Sequence, residues 1–229
     1  AEHDVPLAER TLLDRWILSR LQEVVRVVRD RLSDYDSLNA ARAIEEFVVE
    51  DLSNWYIRRN RRRFWKTESD RDKAAAYLTL HEVLVTVTKL LAPFLPFMTE
   101  VMYRNLVLSV DPSAPESVHL TDFPEVDESK VDPDLDRDMA ALLHVVGLGR
   151  AARARANVKV RQPLPRVLVG SRQDGAVAAI ERLKDQLLDE LNVKDFEVVD
   201  NPDEYVTYRV RPNLAVLGPK YGPKLGAIR

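Results

Sequence analysis

The chain has 229 residues, enough for one large domain or two smaller ones, and at 45% hydrophobic it can build a real core. Its formal net charge of -3 gives no global field toward a polyanion, so a partner of that kind must meet a local patch. There is no cysteine, which excludes disulfides, cysteine-ligated zinc and thiol chemistry, and fits a reducing compartment.

The opening residues, AEHDVPLAER, lack the basic start and apolar run of a signal peptide, so none is expected. Without an initiator methionine the chain reads as cut from something longer. No apolar run is expected to reach the length of a membrane span, and no membrane partner is expected. From Thr11 to Leu32, the residues Leu13, Trp16, Ile17, Leu21, Val24, Val28 and Leu32 recur at the helical period. The turn formers of SDYDSLN interrupt them. A second helix is predicted from about Leu38 to Trp65, with Ile44, Phe47, Val48, Leu52 and Trp55 inward. A third starts at Ser69 or Asp70 as N-cap, with Tyr77, Leu80, Leu84, Val87 and Leu91 inward.

Pro93 and Pro96 in LLAPFLPFM force a kink or restart, and a fourth helix follows to about Leu108. Four amphipathic helices with short joints predict an antiparallel bundle. Residues 109–132, rich in Pro, Ser and Asp, read as an ordered surface connector, and Pro133 to about Ala156 as a further helix. The period then changes. RVLVGS, FEVVD and YVTYRVRP read as strands, with a helix from Gly175 to Leu191. The fold class is therefore mainly α: a helical bundle over residues 1–125, a connector and long helix packing on it over 126–160, and a small α/β subdomain over 161–229.

Catalytic patterns fail. His3, His81, His119 and His144 are scattered, without metal-like spacing. There is no G-x-S-x-G elbow, P-loop or G-x-G-x-x-G, and GLGR at 147–150 falls inside a helix pattern. Glu45–Glu46 and Glu50–Asp51 read as a solvated helix face. No catalytic residue and no metal ligand are expected.

The basic stretch NWYIRRNRRRFW, residues 54–65, is different, because it crowds arginines among large aromatics. At 100° per residue Asn54, Arg58, Arg61 and Trp65 share one stripe beside the core line. Arg59 and Arg62 point nearer the core and are expected to pair with carboxylates; Arg63 flanks the other side. An amide, guanidinium forks and an indole are the groups that stack unpaired bases and grip phosphates. A solvated basic helix end complementing the helix dipole explains the same stretch equally well. A second patch, RAARARANVKVRQPL, sets Arg150, Arg153, Arg155, Lys159 and Arg161 near a helix exit. The candidate RNA contacts are Asn54, Arg58, Arg61, Arg63, Trp65, Arg153, Lys159 and Arg161. From the residues alone, a helical module binding an acidic protein surface has equal weight.

In order along the chain, LLDRWILSRL, DLSNWYIRRNRRRFW, LLAPFLPFMTEVMY, SVHLTDFP, KVRQPL, ELNVKDFEVVD and PNLAVLGPKYGPKLG together resemble the C-terminal region of the isoleucyl-tRNA synthetases, class I aminoacyl-tRNA synthetases, in their eukaryotic and archaeal-like branch. LAPFLPF is shared with the valyl, leucyl and methionyl enzymes, so it marks only the subgroup; a valyl or leucyl type is the alternative, opposed by the tail motifs. The resemblance implies a helical anticodon-binding domain with a small α/β extension, binding the tRNA for isoleucine. It implies a cytoplasmic parent enzyme that uses ATP and Mg²⁺. The parent's catalytic and editing domains would be partners within the same chain. The His-Ile-Gly-His-like and Lys-Met-Ser-Lys-Ser-like signatures of that family do not occur here, so this region is expected to be non-catalytic and to hold no cofactor itself.

Overall fold

Thr11 starts the first long helix with a reciprocal cap. Its hydroxyl accepts from the Asp14 N–H at 3.3 Å, and the Asp14 carboxylate accepts from the Thr11 N–H at 3.1 Å. The computed structural model describes residues 5–66, 69–170, 175–199, 202–205 and 222. Helix α1 (Leu12–Ser33) buries Leu13, Trp16, Ile17, Leu21, Val24 and Val28 of the predicted stripe, adds Leu18 and Val25, and leaves Leu32 half-buried. Tyr35 adopts φ 59 to turn the chain. Asp36 then caps α2 (Ser37–Glu46), accepting from the Asn39 N–H at 3.2 Å.

The predicted second helix is continuous but changes type. After α2 come a π-helical segment (Phe47–Ile57) and α3 (Arg58–Lys66). Its buried line runs through Ala40, Ile44 and Phe47 in steps of four and three, then jumps five residues to Leu52. From there it passes Trp55 and Tyr56 to Asn60. A π turn closes with i→i+5 bonds and holds more residues than an α turn. Everything downstream is therefore rotated by about one residue from the straight-helix phase, with consequences for the arginines.

Ser69 caps α4 (Asp70–Leu91) through the Asp72 N–H. Its buried face is Ala75, Ala76, Thr79, Val83, Val87, Thr88 and Leu90. This corrects the predicted inward line: only Val87 of it is fully buried, and Tyr77 is 50% exposed. Helix α4 packs against α1, α2 and α3 at once. Small residues let three neighbours approach, and the large side chains are displaced to the flanks. A second correction concerns length. Asp70–Leu91 is long and apolar enough to cross a membrane by those two criteria alone. It nevertheless packs as a bundle helix, and Glu82 on it pairs with Lys130 at 2.6 Å and Arg10 at 3.8 Å.

Helix α4 stops at Leu91. Pro96 occupies the first turn of α5 (Pro96–Tyr103), where its missing N–H costs nothing, and a π-helical turn (Arg104–Leu108) extends it. The connector folds back on the bundle. Val118 packs with Ala92 and Tyr103, Arg26 pairs with Glu128 at 2.9 Å, and the Asp127 N–H donates to Gln22 at 2.9 Å. Helix α6 (Pro133–Arg155) begins where Ser19 accepts from the Asp132 N–H at 2.8 Å and donates to Asp136 at 2.7 Å.

The chain divides into two compact units, residues 1–140 and 141–229. In the second, β1 (Val167–Val169) is followed by α7 (Ala176–Arg182), α8 (Lys184–Leu191) and β2 (Phe196–Val198). The strands pair in parallel, Val167 against Phe196 and Val169 against Val198. Val169, Ala179, Ile180, Leu183, Leu187, Leu191 and Val193 form the buried apolar set of this part. The single helix predicted from Gly175 to Leu191 is broken at Leu183, at φ -108 and ψ 22, into two helices that pack on each other. The strand predicted in YVTYRVRP lies, beyond Tyr205, outside the described residues. The architecture is the expected one, mainly helical with a small α/β part.

Candidate nucleic-acid interface

The one-residue rotation of the long helix sorts the arginines of its last two turns. The inward direction, set by Tyr56 and Asn60, falls next on Arg63. Arg63 donates to Asp14 through Nη1 at 2.9 Å and Nη2 at 2.8 Å, and to Asp72 through Nη2 at 2.7 Å and Nε at 3.0 Å. The Tyr56 hydroxyl donates to Asp14 Oδ1 at 2.6 Å, and Asn60 accepts from Arg63 Nη1 at 3.1 Å. Asp14 is fully buried. Burial pushes its carboxyl up, but hydrogen bonds from Arg63, Tyr56 and Thr11 outweigh that and hold it below the usual carboxylate range. Burial likewise pulls the Arg63 guanidinium down, while Asp14 and Asp72 raise it further than that. Burial and the Asp14 charge push the Tyr56 phenol up.

Arg63 was a candidate RNA contact; the structure commits it instead to a network joining α1, α3 and α4. Arg62, expected near the core with a structural partner, is exposed. Arg59 is half-buried, its guanidinium 5.6 Å from the centre of the Trp55 ring. Both corrections follow from the π winding, which runs on past Leu52 and Trp55 to Ile57 and brings Tyr56, Asn60 and then Arg63 onto the buried side.

The predicted stripe itself faces outward. Asn54, Arg58 and Arg61 are exposed, and Trp65 is 66% exposed. Arg58 Nε donates to the Asn54 carbonyl at 2.7 Å, and its guanidinium lies 5.7 Å from the Trp55 ring centre. The Asn54 amide donates to Glu50 at 3.2 Å. The outer face therefore carries Arg58, Arg61, Arg62 and an indole, over a lower face pinned by Arg63. Phe64 is held edge-on against Tyr77, ring centres 5.5 Å apart. Cations on one face can neutralise phosphates, and an exposed indole gives a base a surface to stack on.

The second patch is also divided. Arg153, another candidate, is 5% exposed. It donates to the carbonyls of Lys159 at 3.1 Å, Gln162 at 3.0 Å, Leu191 at 2.6 Å and Asn192 at 3.2 Å, and so is not available to a ligand. Arg150 pairs with Glu190. Arg155, Lys159 and Arg161 remain exposed. Arg62 is the surface cation that sequence reasoning missed, and only the buried Tyr56–Asn60 spacing could have signalled it. Among the described residues, no group of three or more His, Asp or Glu is placed to hold a metal ion.

Comparison with known proteins places the chain in a family. The family described as the anticodon-binding domain of tRNA ligase matches residues 14–168. An isoleucine–tRNA ligase of Thermus thermophilus is 49% identical over 98% of this chain and 22% of its own length. One of Cytophaga hutchinsonii is 44% identical over 100% of this chain and 20% of its own length. One of Dehalococcoides mccartyi is 53% identical over 81% of this chain and 18% of its own length. The chain thus spans about a fifth of the length of the curated relatives it matches. These relatives are bacterial, so the expected eukaryotic and archaeal-like branch is not supported.

Proposed function

The chain belongs to the anticodon-binding domain family of tRNA ligases, and on that premise we propose that it is the tRNA-binding region of an isoleucine–tRNA ligase. It holds the anticodon stem-loop while the acceptor end of the tRNA reaches a catalytic site in another part of the same cytoplasmic enzyme. That site, with the editing domain beside it, uses ATP and Mg²⁺ to join isoleucine to the tRNA; no residue here is assigned to those steps. The region contributes positioning and selectivity.

One observation carries the reading. Trp65 is two-thirds exposed at the end of a helix fixed from below by Arg63, and Arg61 and Arg62 are exposed beside it in sequence. A rigid mount presents a flat indole and guanidinium forks, and the anticodon is a single-stranded loop whose bases can be splayed, stacked and read at their edges. Asn54 and Arg58 extend the same face.

The test is a titration of the chain with labelled tRNA for isoleucine, the same tRNA with a swapped anticodon, and heparin as competitor. The native tRNA is expected to bind more tightly than the swapped one, and Arg61→Ala with Trp65→Ala to remove that preference. Equal binding of both tRNAs with full displacement by heparin would reduce the face to a generic basic surface.

A further inference from the structure

Arg153 presents a problem that the anticodon reading does not absorb. A guanidinium buried to this degree is ordinarily paired with a carboxylate. This one is spent on four main-chain carbonyls. Two of them, Leu191 and Asn192, close helix α8, where carbonyls lack helical partners and the helix dipole favours a cation. The other two, Lys159 and Gln162, are the ends of a tight turn closed by the Gln162 N–H donating to Lys159 O at 3.0 Å. A third carbonyl of that turn, Val160, accepts from Asn192 Nδ2 at 3.0 Å. Asn192 itself sits at φ 48, in the left-handed region that asparagine tolerates.

The approach to the turn is fixed as well. Helix α6 ends with Asn157 at φ 54 and the Val158 N–H donating back to Arg153 O at 2.9 Å. Beyond the turn, Leu164 bridges to Val193 in parallel register. Main-chain anchors on both sides thus hold a short segment whose side chains Lys159 and Arg161 are exposed. No acid occurs between residues 151 and 164 to neutralise them, and Arg155 adds a third exposed cation. A surface loop with no purpose for its shape would not need a buried charge to define it.

We infer that turn 159–162 is a preorganised grip for RNA phosphates, with Lys159 and Arg161 as its contacts and Arg153 as the residue that positions it. Holding the turn rigid before binding removes the ordering cost that two long cationic side chains on a mobile loop would incur. The phosphates are those of the same tRNA, so the inference rests on the tRNA-binding reading; it adds a second contact on the second compact unit, independent of base identity.

The experiment measures the affinity of the 229-residue chain for tRNA for isoleucine over a range of salt concentrations. Lys159→Ala with Arg161→Ala changes only exposed groups. It is expected to leave the melting temperature in place and to make the slope of log K against log salt shallower by about 1.4 to 1.8, the loss of two phosphate contacts. Removing two exposed arginines elsewhere, Arg42→Ala with Arg137→Ala, should leave the slope close to that of the parent chain. Arg153→Lys keeps the charge but cannot reach four carbonyls; it should speed amide exchange at Gln162 and lower affinity several-fold, and Asn192→Ala should do the same if the lysine variant does not fold. A merely structural arginine would alter exchange and leave the salt slope untouched. An unchanged slope in the Lys159/Arg161 variant, or an equal change in the Arg42/Arg137 control, overturns the inference. If Arg61→Ala with Trp65→Ala weakens binding while Lys159/Arg161 removal does not, the grip fails and the anticodon reading stands. If the chain does not bind tRNA, both fall.

Discussion

Asp14 and Arg63, at opposite ends of two different helices, face each other through a two-pronged ion pair, Nη1 to Oδ1 at 2.9 Å and Nη2 to Oδ2 at 2.8 Å. Such a fork fixes angle as well as distance, which a lysine at the same position cannot reproduce. The pair thereby sets the direction in which the end of the long helix presents Arg61, Arg62 and Trp65.

Removing one partner of a pair buried to this extent leaves the other charge uncompensated. Arg63→Ala is expected to cost about 3–5 kcal/mol of stability. Arg63→Lys should recover only part of it. Arg61→Ala and Arg62→Ala, both on the surface, should each stay within about 0.5 kcal/mol of the parent chain. Urea melts of the four variants check the order. Equal losses at Arg61 and Arg63 would mean that the one-residue rotation of the helix is wrong.

Much of this was legible in the sequence because it rests on local rules. Ser69 announces its helix as a cap, Pro96 restarts the fourth, and the apolar spacing from Leu13 to Val28 names most of the buried stripe of α1. The switch from α to π winding between Phe47 and Ile57 was not legible, since the composition of FVVEDLSNWYI fits either. That single event exchanged the roles of Arg62 and Arg63. The face of α4 was misread for another reason: a period argument favours large apolar residues, whereas a helix wedged among several neighbours buries its alanines. Arg153 could not have been identified as structural, because its partners are carbonyls and any residue supplies those.

The same network predicts the acid limb of the stability curve. The folded Asp14 carboxyl titrates below its ordinary 3.8, so its contribution is fully present above that value and is lost as pH falls through the lower folded one. Asp51 and Asp136 act in the opposite sense, since burial pushes both up and their cost is relieved as they take up protons. Melting temperatures of the parent chain should therefore fall below about pH 4, and Asp14→Asn should start lower and lose less over that interval. A variant whose acid limb runs parallel to the parent's would remove Asp14 as a source of it.

Gly147 and Gly149, two residues apart in α6, should respond oppositely to the same substitution. A Cβ at Gly147 meets nothing within 4 Å, so Gly147→Ala should add about 0.5–1 kcal/mol from helix propensity. A Cβ at Gly149 would come within 2.6 Å of Leu191 Cδ1, and Leu191 is buried. Gly149→Ala must displace that side chain within a packed interior, and the propensity gain should be lost or reversed. Thermal melts of the two single variants decide it; equal stabilisation would mean that Leu191 is free to move aside.

Trp55 and Trp65 separate folding from binding. Both are indoles on one continuous helix, but Trp55 is 4% exposed and Trp65 is 66% exposed. Trp55 lies under the guanidinium groups of Arg58 and Arg59 and fills the bundle beside Leu52 and Tyr56. Trp55→Ala should cost about 3–5 kcal/mol, the usual result of emptying a large aromatic site. Trp65→Ala should leave stability within about 0.5 kcal/mol, since an exposed ring has little packing to lose. Its effect should appear in RNA affinity, where one stacked base is worth about 1–3 kcal/mol. The decisive pair of measurements is a melt and a tRNA titration on each variant. Trp65→Phe gives the further check, because a smaller aromatic surface should retain part of a stacking contribution. If Trp65→Ala lowers the melting temperature as much as Trp55→Ala, the ring is a structural prop and the stacking platform must be sought among other residues.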